Sequence, residues 1–148
     1  MGITSSLASG EVESPISIFM NNYRDKEFTK QDLENPSVFD MDEIDEIVNS
    51  ASTFHNRPEK RAIIAQCVDI IKANPNWTLT LKEIPTSSRF NFNIELRGNG
   101  NTYVFREGTC HNGVMGISMW TNDGEDPEML FHHSSNIRPY FESKKVII

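Results

Sequence analysis

The sequence predicts an α+β fold, with N-terminal helices packed on one face of a mostly antiparallel C-terminal sheet of about four to six strands. Three observations predict it. The first half carries apolar residues at helical spacing between recognisable caps and breakers. From Trp77 onward the apolar period falls from about 3.6 to about 2, the spacing of strands. The strands then follow one another through turn residues, and the alternating βαβ pattern of a parallel sheet is missing.

Each helix has its own signals. Ser14-Pro15 reads as a start, a serine cap followed by a proline whose missing N–H costs nothing there, and Ile16, Phe19, Met20 and Tyr23 then share one face. Thr29 caps a short helical turn that must stop before Asn35-Pro36. Asp40 is an N-cap with Glu43 placed as in a capping box, and Phe39 is placed to staple onto Ile44. The helix from Met41 to about Ser52 has Met41, Ile44, Ile47, Val48 and Ala51 on one face, with Asp42, Glu43, Asp45 and Glu46 off it. A further helix begins at Asn56, with Glu59 at its third position, and runs to Ala73 before Asn74-Pro75. Its apolar stripe is Ile63, Ile64, Cys67, Val68 and Ile71, and Lys60, Gln66, Asp69 and Lys72 are assigned to the other side.

The strands follow in order. Trp77, Leu79 and Leu81 alternate with Thr78, Thr80 and Lys82; Phe90, Phe92, Ile94 and Leu96 alternate with Asn91, Asn93, Glu95 and Arg97. Gly98-Asn99-Gly100-Asn101 is a hairpin turn, after which Tyr103 and Phe105 return on one face. Asn112-Gly113 is a second turn, Val114 to Trp120 a further strand, and weaker strand signals stand at Met129 to His132 and Val146 to Ile148. Residues 1–13 are expected to be a flexible leader and 14–148 a single α+β domain, with no internal repeat. The layout resembles that of cystatin-like, nuclear-transport-factor-like and secretion-chaperone-like proteins, with no motif tying the chain to any of them.

Composition narrows the function classes. With 37% hydrophobic and 24% charged residues the chain reads as soluble and globular, and no apolar stretch is long enough to cross a bilayer. Two cysteines, Cys67 and Cys110, are too few for a disulfide scaffold and suit a reducing compartment. Residues 1–14 lack the basic start and apolar run of a secretory signal peptide. The net charge of −7 is unevenly spread: residues 1–56 hold eleven acids against three bases, while residues 57–148 hold ten against eleven. The acidic part repels phosphate backbones and anionic lipid, which disfavours a nucleic-acid partner and suits a basic protein surface.

Met1-Gly2-Ile3-Thr4-Ser5-Ser6 fits the acceptor pattern for N-terminal myristoylation, with Gly2 exposed once Met1 is removed and Ser6 in place. No polybasic run or nearby acylated cysteine backs it, so membrane association through Gly2 would be at most weak and reversible. This uncharged, Ser-rich start resembles the delivery and lipidation signals of bacterial effectors injected into eukaryotic cells.

Chemical motifs are sparse. A thiol enzyme needs a thiolate and a nearby imidazole; Cys110 could supply one and His132 or His133 the other, whereas adjacent His111 tends to point away. The competing reading is a structural thiol and surface imidazoles. The same residues lack the paired spacing of a zinc site, and Asn122 to Asp126 lacks the alternating carboxylates of a calcium loop, so no metal or other cofactor is expected. No P-loop, G-x-G-x-x-G or G-x-S-x-G occurs.

The sequence reading is therefore a small acidic protein-binding module, in the setting of a translocated bacterial effector acting on a host protein. Asp42, Asp45 and Glu46 are its candidate partner-binding residues and Gly2 its lipidation site. The alternatives are an intracellular inhibitor, immunity protein or secretion chaperone, and a cysteine-dependent hydrolase or transferase using Cys110. The expected location is the cytoplasm, or a host cell with partial membrane association if Gly2 is acylated.

Overall fold

The computed structural model describes residues 13–52, 56–85, 89–109, 115–122, 128–130 and 136–147, and every structural statement below concerns these. In chain order they form α1 (Pro15–Asn22), β1 (Glu27–Phe28), α2 (Lys30–Leu33), α3 (Met41–Ala51), α4 (Arg57–Ala73), β2 (Thr78–Glu83), β3 (Phe92–Gly98), β4 (Asn101–Thr109), β5 (Met115–Thr121), β6 (Glu128–Leu130) and α5 (Arg138–Ser143). The fold is the α+β arrangement read from the sequence. The strands make one six-stranded sheet in the order β1-β2-β3-β4-β5-β6, each neighbouring pair antiparallel.

Register decides what the sheet buries. Leu81, Ile94, Phe105 and Met119 form one cross-strand row, and Leu79, Leu96 and Tyr103 the next. All seven are buried, in one core with Ile44, Ile47, Ile63, Ile64 and Ile71 from α3 and α4. Phe19 of α1 stacks on Phe92 at 5.3 Å between ring centroids, and Phe141 of α5 meets Tyr103 edge to face at 4.9 Å. The helices thus lie on the sheet face that these rows define.

Local chemistry explains most boundaries. Ser14 caps α1 by accepting from Ser17 N, with Pro15 in the first turn. Thr29 and Asp32 make a reciprocal capping box around α2. Asn99 and Gly100, with φ of 54° and 80°, both take the left-handed region that a two-residue hairpin requires between β3 and β4. Gly98 is needed for a different reason: a Cβ there would stand 1.9 Å from Cδ2 of the Trp77 ring.

Several expectations are corrected. Of the face assigned to α1, Phe19 and Tyr23 are buried, but Ile16 is exposed and Ile18 is buried in its stead, because the helix meets α3 and Phe92 along a face turned slightly from the one assigned. Val146 and Ile147 are not in a strand. Val146 is buried behind the α5 turn with its N–H bonded to Phe141 O, and Ile148 lies outside the described residues. Neither α5 nor β1 was anticipated, since six and two residues are too short to show a period. Lys60, assigned to the outer side of α4, is fully buried.

Candidate functional site

The acidic face sits on α3. Asp40 starts the helix by accepting from Asp42 N at 2.9 Å, and the side chains of Ile44, Ile47, Val48 and Ala51 fix its inner face in the core. Of the three candidate partner-binding residues, Asp42 and Glu46 are exposed. Asp45 is half-buried and accepts a hydrogen bond from Arg61 Nε of α4 in an ion pair. The structure therefore presents two of these carboxylates outward and spends much of the third on a neighbouring helix.

Glu43 does something the sequence did not show. The Asp40 N–H does not go to Glu43, as a capping box would have it, but to the Tyr23 hydroxyl at 3.1 Å. That hydroxyl in turn donates to Glu43 Oε1 at 2.5 Å. A buried tyrosine from the end of α1 has been inserted into the box. Burial, then the bond to the Glu43 carboxylate, pushes the Tyr23 hydroxyl well above the ordinary phenol range, so it stays protonated as a donor.

The densest buried chemistry lies where α4 begins. Lys60 Nζ is 2.9 Å from Glu107 Oε2, with the two side chains only 1% and 7% exposed. The ammonium also donates to Asn91 Oδ1 at 2.7 Å and to the Phe92 carbonyl at 2.6 Å, and stands 4.3 Å from the Phe92 ring centroid. Asn56, placed to cap α4, instead donates Nδ2 to Glu107 Oε1 at 3.3 Å and makes no side-chain cap. Burial pushes the Lys60 ammonium below the ordinary lysine range, against the opposing pull of Glu107. Burial alone would raise the Glu107 carboxyl. The charge of Lys60, 2.9 Å away, and the hydrogen bond from Asn56 outweigh it and hold the carboxyl below its usual value.

Sequence reasoning missed this cluster although a signal existed. Lys60 continues the spacing of Ile64, Cys67 and Ile71 along one helix stripe, and Glu107 continues the alternation of Tyr103 and Phe105. Two charged residues on two apolar faces are what a buried pair looks like in sequence.

The other candidates fall elsewhere. Cys110, His132 and His133 lie outside the described residues, as do Gly2, Ser6 and the Asn112-Gly113 turn. Cys67 is buried on its helical stripe, where burial pushes its thiol far above the ordinary range. Among the described residues no three His, Cys, Asp or Glu side chains group as a metal site would need. No helix among them is long and apolar enough to cross a membrane. The fold and its surfaces define a helix-covered antiparallel meander with an acidic helix at one side. Comparison with protein-family models, with curated proteins and with solved structures finds no match for the chain.

Proposed function

We propose that the protein is a binding module that docks the outward acids of α3 against a basic surface of another protein. The observation that carries this reading is the placement of Asp42 and Glu46: both are exposed on a helix whose opposite face is locked into the core. A rigid, presented carboxylate pair loses little freedom on binding and steers a basic partner over distance. The surrounding charge strengthens the field, since residues 13–52 hold ten acids against three bases.

The setting we favour is a translocated bacterial effector acting on a host protein, with Gly2 as its acylation site and weak, reversible membrane association. That part of the reading rests on the first six residues alone. Affinity capture from eukaryotic and bacterial lysates tests it, with the Asp42→Lys/Glu46→Lys chain as control. The captured protein should be a eukaryotic one that binds wild type more strongly than the control. Equal capture by both chains would refute the acidic face as the docking surface.

A further inference from the structure

The Lys60–Glu107 pair holds three separate parts of the chain together. Lys60 and Asn56 come from the start of α4, Glu107 from β4, and Asn91 with the Phe92 carbonyl from the residues that open β3. The end of α3 closes on the same junction: Arg89 Nη2 donates to Ala51 O at 2.9 Å and Arg57 Nε to Ser52 O at 3.3 Å. The charged groups gathered there, among the described residues, are Lys60, Arg57, Arg89, Glu59 and Glu107, and, one residue on, the Arg61–Asp45 ion pair ties the same stretch of α4 to α3. Glu107 is the carboxylate paired with Lys60.

The attachment of the first turn of α4 is thus unusually concentrated. An ordinary N-cap side chain would satisfy the helix end locally. Here Asn56 forgoes that role and reaches for Glu107, and Lys60 one turn later reaches for the same carboxylate. Beyond that turn α4 is held chiefly by apolar contacts, since Ile63, Ile64, Cys67, Ile70 and Ile71 are wholly buried, with the half-exposed Arg61–Asp45 pair and the Ile137 N–H donated to Gln66 Oε1 as polar additions. The helix therefore has a buried electrostatic first turn and a mainly hydrophobic remainder.

We propose that the Lys60–Glu107 pair is an acid-sensitive latch, and that neutralising Glu107 releases the first turn of α4 from the sheet while the remaining core stays packed. A proton on Glu107 leaves the Lys60 ammonium buried among neutral oxygens and a ring, which do not compensate a full charge. Hydrating that ammonium needs only the first turn to lift, because the apolar stripe that anchors the helix begins at Ile63. The direction of the pH effect follows from Glu107. Its carboxyl in the folded chain lies below the ordinary value of 4.5, so the latch is complete above that value and is lost as pH falls through the folded one.

Amide hydrogen exchange on the full chain tests this, read separately for residues 57–62 and for Ile94 to Leu96, with intrinsic rates corrected for pH. Between about pH 7 and about pH 3, protection of the first segment should fall roughly tenfold more than that of the second. The Glu107→Gln chain keeps the shape but not the charge, and should show at neutral pH the exchange that wild type shows in acid. In Lys60→Met/Glu107→Leu the two segments should change together with pH. Equal behaviour of the segments in wild type would overturn the proposal, as would a differential acid response persisting in the double variant, which would assign it to another group. A Glu107→Gln chain as protected as wild type, or one wholly unfolded at neutral pH, would also overturn a local latch.

Discussion

Tyr23 donates its hydroxyl proton to Glu43 Oε1 at 2.5 Å while accepting the N–H of Asp40, so the start of α3 is fastened by a side chain from the end of α1. A helix cap has become a tertiary contact. It positions the acidic turn of α3 relative to α1, and the rings of Phe28 and Phe39 hold the tyrosine in place, at 5.8 and 5.7 Å between centroids. Tyr23→Phe keeps that packing but strands the Asp40 N–H and the Glu43 carboxylate. The expected loss is about 1 to 3 kcal/mol, measured as a lower urea midpoint with unchanged m-value.

Gly98→Ala should be costly although the added group is small. The new Cβ would overlap the Trp77 ring, which is itself stacked on Tyr103 at 6.0 Å and edge-on to Phe141 at 6.1 Å. With the ring wedged between them, relief means shifting the strand or the α5 contact. A loss of roughly 1 to 3 kcal/mol in thermal or urea unfolding is expected, with a change in tryptophan fluorescence.

Lys60→Met alone should be more harmful than Lys60→Met/Glu107→Leu. The single change leaves a buried carboxylate without its cation, a loss of about 3 to 5 kcal/mol, whereas the double change removes both charges and recovers much of it. Chemical denaturation of the three chains at neutral pH measures this, and a double variant weaker than the single would contradict it.

Charge reversal at Asp42 and Glu46 should slow association with the captured partner and flatten its salt dependence, while leaving the unfolding midpoint nearly unchanged. Asp45→Lys should also lower stability slightly, since it sets two cations against each other where Arg61 now meets Asp45. Cys110→Ser should leave binding intact. If that variant instead abolished the biological effect while the charge-reversed chain behaved as wild type, a thiol enzyme with His132 or His133 as base would replace the binding module.

Expressed in eukaryotic cells, the protein should take up a myristate analogue, and Gly2→Ala should take up none while keeping the fold. Labelled protein should divide between membrane and cytosol, because one acyl chain anchors weakly. Equal labelling of both chains, or labelling of neither, would remove Gly2 from the account.

The sequence by itself determined the elements whose signals are local. Ser14-Pro15, Thr29 and Asp40 start helices through bonds to their own next few residues, and Asn74-Pro75 ends one. The alternation from Trp77 to Leu96 and the Asn99-Gly100 turn fixed β2, β3 and the hairpin into β4, because side-chain period and left-handed φ are properties of a short stretch of chain. Only the tertiary structure decided where polar side chains went. Glu43 looked like a capping residue until Tyr23 arrived from another helix, and Lys60 looked like a surface lysine until β4 brought Glu107 beneath it. It also decided that Glu27–Phe28 would join the sheet edge and that residues 138–143 would become a helix. The physical reason is the same in each case: burial rewards a charged or short segment only when a distant part of the chain supplies its partner, and no local pattern records which part that will be.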